Sequence, residues 1–117
     1  MITYAEALDY IYNLNKYGIK LGLNNISYLL FLLGNPHKYL NIIHISGTNG
    51  KGSTAAIISS ILQANGFKTG LYTSPHLVDF TERMKINSQN ISQEKVCELL
   101  ERIKPYIEEV SNTTGYN

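Results

Sequence analysis

The chain has 117 residues, the length of one small domain that can bury a core. Its charge is nearly balanced, with 10 Lys and Arg against 9 Asp and Glu, and the basic residues are scattered, so no face for nucleic acid is predicted. The longest apolar run, Tyr28–Leu33, is too short to cross a bilayer, and the N-terminus has no signal-peptide pattern. Cys97, the single cysteine, cannot form a disulfide within the chain and is interpreted as a packed side chain. We therefore expect a cytoplasmic protein that binds neither membrane nor nucleic acid.

The N-terminal segment predicts a helix followed by a glycine-containing loop. Thr3 and Glu6 have the spacing of a capping box, and apolar residues then recur at helical intervals over Tyr4–Asn15. In Tyr17–Leu23 two glycines lie four residues apart, with a leucine on each side of Gly22. From the residues alone, we interpret this segment as a connector whose leucines fill the core.

A second helix and a first strand follow. Asn24 or Asn25 can cap the helix, and Gly34 is expected to stop it. Leu40–Ile45 is apolar with little alternation, which is the pattern of a strand covered by helices on both faces of a parallel sheet. His44 lies inside this strand, and we interpret it as a structural residue with a local hydrogen bond.

The most informative segment is the glycine-rich turn Gly47–Ser53, which separates this strand from an apolar helix at Ala55–Leu62. The first backbone N–H groups of a helix lack intrahelical acceptors and point outward at the positive end of the helix dipole. Such a helix start suits a phosphate group. Three glycines allow the backbone to approach an anion closely: Gly47, Gly50 and Gly52.

Side chains of the same turn extend this prediction. Lys51 can reach phosphate oxygens, and the hydroxyl of Ser53 or Thr54 can bind Mg²⁺. The spacing departs from the Walker pattern, because only two residues separate Gly47 from Gly50 and a glycine lies between Lys51 and Ser53. The alternative interpretation is a glycine-rich turn that binds no ligand.

Lys68–Thr73 is predicted to be a second strand, joined to the first by a right-handed βαβ crossover. Parallel strands share a carboxyl-terminal edge, where an open α/β sheet binds its ligand. This edge carries Ser74, whose hydroxyl lies next to a proline and can bind a metal ion, although an ordinary Ser-Pro turn explains it equally well. The residues leave two further roles open: His76 contacts phosphate or stabilises the loop, and Arg83 binds an anion or forms a surface ion pair.

The remaining residues predict a hairpin and a long helix. Glu82–Asn87 is expected to be a short strand, which Asn87–Ile91 turns into a hairpin. Ser92 can cap an amphipathic helix, which Pro105 should kink or split. Ser111–Asn117 has no apolar period and is expected to be a loop or a frayed end.

Five segments of the chain, in order, closely resemble the N-terminal part of bacterial folylpolyglutamate synthase and the related dihydrofolate synthase, members of the Mur ligase superfamily. The segments are Tyr17–Leu23, Leu33–Pro36, His44–Ser53, Gly70–Leu77 and Phe80–Arg83. The turn that departs from the Walker pattern is similar to this superfamily's own phosphate loop. The resemblance implies an α/β fold, with a partial P-loop-type parallel sheet flanked by helices. It also implies that residues 1–117 form the N-terminal part of a single ATP-binding domain.

By this resemblance the reaction is ATP-dependent amide formation. ATP would phosphorylate a carboxylate of a folate or dihydropteroate, and the amino group of L-glutamate would attack the acyl phosphate. Lys51 then matches an electrostatic catalyst, while Ser74 and Ser53 match magnesium ligands. The residues that match the ATP-binding loop are Gly47, Thr48, Asn49, Gly50, Lys51, Gly52, Ser53 and Thr54. Those that match the pteroate pocket are Lys20, Leu21, Gly22 and Leu23, which replaces the connector interpretation.

A complete member of this family is several times longer, so the resemblance places the rest of the ATP-binding domain and the C-terminal domain beyond Asn117. We expect the 117 residues alone to be inactive and to self-associate through exposed sheet edges. Two alternatives stay open: a nucleotide-binding or phosphate-binding module without catalysis, and part of a Mur-type ligase of peptidoglycan synthesis. Lys20–Leu23 and the sequence Gly-Lys-Gly-Ser argue against the second alternative.

Overall fold

The computed structural model describes residues 2–14, 24–47 and 49–114, with the backbone only for residues 113 and 114. The chain divides into two compact units, one comprising Met1–Asn41 with Glu94–Asn117 and the other Ile42–Gln93. Within these described ranges, no helix is long and apolar enough to cross a membrane.

Two helices form the core of the first unit: α1 (Tyr4–Asn13) and α4 (Gln93–Thr114). The predicted capping box starts α1, because the backbone N–H of Glu6 donates to Oγ1 of Thr3 at 3.1 Å and that of Thr3 donates to Oε1 of Glu6 at 2.9 Å. The buried residues of this core are Ala7, Cys97 and Leu100. Cys97 is therefore a packed side chain, as predicted.

The last helix continues where the sequence predicts an interruption. Of the kink or split predicted at Pro105, the split is wrong, and the loop predicted for Ser111–Asn117 is wrong over Ser111–Thr114, since α4 continues to Thr114. Residues 115–117 lie outside the described residues. A proline inside a helix removes one backbone hydrogen bond and costs about 3 kcal/mol. Leu100 before the proline and Val110 after it are both buried, and this packing offsets the cost.

The first unit also contains α2 (Asn24–Leu32), which lies where the sequence predicts it. Gly34 ends it with a φ of +88° and donates its N–H to the carbonyl of Phe31 at 3.0 Å. The N–H of Asn35 donates to the carbonyl of Leu30 at 2.7 Å. These two bonds form a Schellman motif, whose positive φ favours glycine. A 3₁₀ turn follows at Pro36–Tyr39.

The second unit combines one helix with a small antiparallel sheet. The helix is α3 (Lys51–Ala64), and the strands, in their order across the sheet, are β1 (Gly70–Tyr72), β2 (Met84–Ile86) and β3 (Gln89–Asn90). Gly70 pairs with Ile86, and the predicted hairpin joins β2 to β3. Its two turn residues, Asn87 and Ser88, have φ values of +49° and +68°. Helix α3 packs against β1.

The predicted strand Leu40–Ile45 is not formed. Residues 41–47 belong to none of the strands of the described chain, and β1 pairs antiparallel with β2 rather than parallel with this segment. The predicted parallel βαβ pairing is therefore wrong for these residues. A strand exists only through hydrogen bonds to a neighbouring strand, and Ile42 and Ile43 remain 67% and 60% exposed. Their apolar sequence suits a sheet interior, but the described residues supply no strand beside them.

Candidate functional site

The glycine-rich turn forms an open start for α3. Gly50 precedes the first helical residue with a φ of +73°, and Gly47 has a φ of +143°. The first helical hydrogen bond runs from the N–H of Thr54 to the carbonyl of Gly50, at 2.9 Å. The backbone N–H groups of residues 51–53 therefore precede the intrahelical ladder, and no described side chain caps this end of the helix. These groups are free to bind an anion.

Side chains at the same helix start are accessible. Lys51, Ser53 and Thr54 are exposed, as is Asn49. A Cβ built on Gly52 meets no other described part of the chain within 4 Å. Packing within the described fold therefore does not require glycine at this position.

The described contacts fix the far end of α3 relative to the sheet. Nε2 of Gln63 in α3 donates to Oγ of Ser88 at 2.9 Å, and Ser88 belongs to the hairpin turn that joins β2 to β3. Helix α3 also packs against β1, the strand that Ser74 follows. The placement of Ser74 beside Lys51 stays a prediction from the sequence.

Two carboxylates, those of Asp79 and Glu82, organise the loop from Ser74 to Arg83. Glu82 accepts backbone hydrogen bonds from Leu77 at 3.0 Å, Val78 at 2.9 Å and Asp79 at 2.7 Å. These donors, with Asp79 contributing most, hold the pKa of Glu82 below its usual range. Asp79 and Glu82 also form a reciprocal capping box for the 3₁₀ turn Phe80–Arg83. Sequence reasoning missed this role, although the Asp-x-x-Glu spacing is the signal that predicts it.

His76 and Arg83 contact each other within this loop. Nε of Arg83 donates to Nδ1 of His76 at 2.8 Å. The Arg83 guanidinium lies 5.3 Å from the ring centroid of Phe80, and the rings of His76 and Phe80 meet edge to face at 6.1 Å. Both side chains therefore contribute contacts within the loop. For His76 this is one of the two roles that the sequence left open, whereas the contact of Arg83 is neither the anion contact nor the surface ion pair that the sequence offered.

The two predicted metal ligands, Ser53 and Ser74, carry hydroxyl groups. The hydroxyls of Ser53 and Ser74 are hard oxygen donors of the kind that Mg²⁺ accepts. The described ranges contain no group of three or more His, Cys, Asp or Glu side chains that could hold a metal ion. These residues therefore fit a magnesium ion that retains water and arrives with phosphate oxygens. Thr48 and the predicted pocket residues Lys20–Leu23 lie outside the described residues.

Comparisons with known proteins give one consistent result. No protein-family model matches the chain. A dihydrofolate synthase/folylpolyglutamate synthase of Bacillus subtilis (strain 168) is 40% identical over 111 residues, which are 95% of this chain and 26% of that protein. The crystal structure of folylpolyglutamate synthase from Thermotoga maritima matches 91% of this chain with 46% identity and a TM-score of 0.83, over 24% of its own length.

Two further folylpolyglutamate synthase structures contain ligands. One, from Mycobacterium tuberculosis, is a complex with ADP, and it matches 95% of this chain and 25% of its own length, with 33% identity and a TM-score of 0.85. The other is a complex with AMPPCP and folate, and it matches 99% of this chain and 28% of its own length, with 32% identity and a TM-score of 0.85. These likenesses confirm the α/β class. The chain spans about a quarter of the length of these relatives.

Proposed function

The chain is a relative of the folylpolyglutamate and dihydrofolate synthases, and we propose that it carries the ATP-phosphate loop of a ligase that adds L-glutamate to folate or dihydropteroate. The observation that carries this proposal is the uncapped start of α3, where Gly50 and the N–H groups of residues 51–53 form an anion site. A structure of the same fold is a complex of folylpolyglutamate synthase with AMPPCP and folate.

In this proposal each residue of the turn has a defined task. The backbone from Gly47 to Thr54, including Thr48 and Asn49, surrounds the phosphate chain. Lys51 neutralises charge on the transferred phosphoryl group and acts as the electrostatic catalyst. The glycine at position 52 lets the backbone approach a phosphate oxygen, which agrees with the open space around it.

The metal and the substrate complete the proposed site. The hydroxyls of Ser53 and Ser74 would hold Mg²⁺, which supplies charge neutralisation between the phosphate groups. Lys20, Leu21, Gly22 and Leu23 are proposed to line the pteroate pocket.

The proposed reaction has two steps that balance without a further reactant. A carboxylate oxygen of the folate or dihydropteroate attacks the γ-phosphorus of ATP, and ADP leaves. The amino nitrogen of L-glutamate then attacks the acyl carbon, phosphate leaves, and the nitrogen loses a proton. We also propose that the protein acts in the cytoplasm, where ATP is available as a reactant.

We assign ligation to a full-length protein and propose that the 117 residues alone are inactive, as the N-terminal part of one ATP-binding domain. The relatives that bind nucleotide and folate are about four times longer than the matched region. Two observations support self-association of the chain. Ile42 and Ile43 in the second unit are apolar and exposed, and one edge of β1 has no partner strand among the described residues.

A coupled assay for ADP tests the assignment of activity. The purified chain, supplied with Mg-ATP, folate and L-glutamate, should release no ADP that depends on both substrates. The same assay on a protein that contains this chain at full family length should release ADP only when both are present. Ligation by the 117 residues alone would contradict the proposed inactivity, and no ligation at full length would contradict the proposed reaction.

One alternative function is favoured by a specific observation. This chain contains the open start of α3, but it spans only about a quarter of the length of its relatives. The helix start alone therefore favours a nucleotide-binding or phosphate-binding module without catalysis. Nucleotide binding without ligation at full length would favour this module.

A further inference from the structure

The tip of the loop between β1 and β2 is not held by burial. Leu77 and Val78 are 94% and 88% exposed, although both are apolar. Side-chain packing therefore contributes little to the conformation of this tip. Hydrogen bonds to its backbone are the interactions that can fix it.

A single carboxylate supplies those bonds. The two oxygens of Glu82 accept the N–H groups of Leu77, Val78 and Asp79, at distances of 2.7–3.0 Å. Hydrogen bonds to an ionised acceptor are about twice as strong as those between neutral groups. Glu82 is itself fixed, since its backbone lies in the 3₁₀ turn and its N–H donates to the carbonyl of Asp79 at 3.0 Å.

The same loop is closed at both ends. The N–H of Thr73 donates to the carbonyl of Arg83 at 2.9 Å, where the loop leaves β1 and enters β2. Arg83 also donates from Nε to Nδ1 of His76, so the imidazole accepts at Nδ1 and carries its proton on Nε2. The ring of His76 thus offers one hydrogen-bond donor, in an orientation set by Arg83.

We propose that Glu82 is a positioning residue: by fixing the backbone of residues 77–79, it holds the loop so that Ser74 can bind the metal ion at the nucleotide's phosphates. This inference rests on the proposed function, because it needs a nucleotide at the start of α3. Glu82 itself touches neither nucleotide nor metal. Its effect is on the metal-dependent part of nucleotide binding, through Ser74, and not on the contacts made by the turn at Gly47–Thr54.

Titration of ATP into the chain, in excess Mg²⁺ and separately in EDTA, tests this inference. Glu82→Gln keeps the size of the side chain but replaces one acceptor oxygen with a donor. We expect it to lower the affinity in Mg²⁺ about tenfold, which is roughly the effect of losing one charge-assisted hydrogen bond, and to leave the affinity in EDTA unchanged. Glu82→Asp, which retains the carboxylate, should restore part of the loss. Glu109→Gln, an exposed site in α4, is the matched control and should change neither value.

Amide hydrogen exchange supplies the second readout. Exchange at residues 77–79 should be slowed in the wild-type chain and should accelerate about tenfold in Glu82→Gln, while circular dichroism shows whether the variant is folded. If the variant unfolds, unprotected amides at residues 77–79 of the wild type would still overturn the proposal. Equal affinity of wild type and Glu82→Gln in Mg²⁺ would overturn it while leaving the nucleotide site intact. A wild-type chain that binds no ATP in either buffer would overturn the proposed function and this inference together.

Discussion

Nε of Arg83 donates a hydrogen bond to Nδ1 of His76, at 2.8 Å. The sequence presented both side chains as candidates for binding an anion, but each has a partner in the other within the loop. An arginine that donates from Nε still has N–H donors on its two terminal nitrogens. The position of the Arg83 guanidinium, however, is set by the His76 imidazole and by the Phe80 ring. The pair therefore defines the shape of the loop that carries Ser74.

Glycines at two positions of the second unit should respond to substitution in opposite ways. Gly52→Ala meets no neighbour and lies in α3, so we expect stability to stay unchanged or rise by up to about 1 kcal/mol while ATP affinity falls. Gly66→Ala places a side chain at a φ of +89°, so it should lose about 1 kcal/mol or more without affecting ATP affinity in the folded chain. Urea denaturation and calorimetric titration measure the two effects. A Gly52→Ala chain that binds ATP normally would show that no phosphate approaches this backbone.

The protection of the loop tip should be lost in acid. The backbone N–H of Asp79, followed by those of Leu77 and Val78, keeps the pKa of Glu82 below its usual range. A carboxyl group whose pKa is lowered in the folded state contributes stability above its unfolded pKa of about 4.3, and this contribution is lost as the pH falls through the lower folded value. Amide exchange at residues 77–79, divided by the intrinsic rate at each pH, should therefore be slowed at pH 6 and approach the intrinsic rate below the folded pKa. Exchange ratios that do not change across this window would contradict the role of the carboxylate.

The capping box of α1 should be measurable in stability. Thr3→Ala removes the side-chain acceptor for the Glu6 N–H and should cost about 1 kcal/mol in the free energy of unfolding. Thr3→Ser keeps the hydroxyl and should lose less than half of that. Urea unfolding followed by circular dichroism compares the three chains, and equal midpoints for all of them would show that the cap contributes nothing.

Self-association should depend on the unpaired apolar segment before the phosphate turn. Ile42 is 67% exposed, so Ile42→Lys should remove an apolar contact and shift the chain toward monomer. Ser60→Lys adds the same charge at an exposed site of α3 and serves as the control. Sedimentation velocity over a range of concentrations measures both variants. A wild-type chain that is monomeric at the highest concentration would contradict the proposed self-association.

Elements that depend on local signals were predictable from the sequence. The capping box at Thr3 starts α1, and Gly34 ends the region of α2 with a positive φ, because each of these effects requires only residues within one turn. The open helix start at Gly50 was predictable for the same reason. The residues that form this helix start are consecutive in the sequence.

Features that depend on distant partners were not predictable. Leu40–Ile45 has the composition of a buried strand, but a strand needs a neighbour, and β1 pairs with β2 instead. Pro105 predicts a break in the last helix, but α4 continues past it and buries Val110, and this packing outweighs the low helix propensity of proline. The hydrogen bonds of Glu82 join its side chain to backbone groups, and any residue type can supply a backbone N–H, so only the capping-box spacing gives a sequence signal for them.

The most direct test of the phosphate site is calorimetric titration of Mg-ATP into the wild-type chain and two lysine variants. Lys51→Ala removes the exposed ammonium at the start of α3. Lys68→Ala removes an exposed ammonium before β1 and is the control, because the two variants have the same net charge. We expect wild type and Lys68→Ala to bind Mg-ATP with the same affinity and Lys51→Ala to bind at least about tenfold more weakly, because a charge-assisted hydrogen bond to phosphate is lost. Equal binding by all three chains would contradict the assignment of this turn as the ATP-phosphate loop.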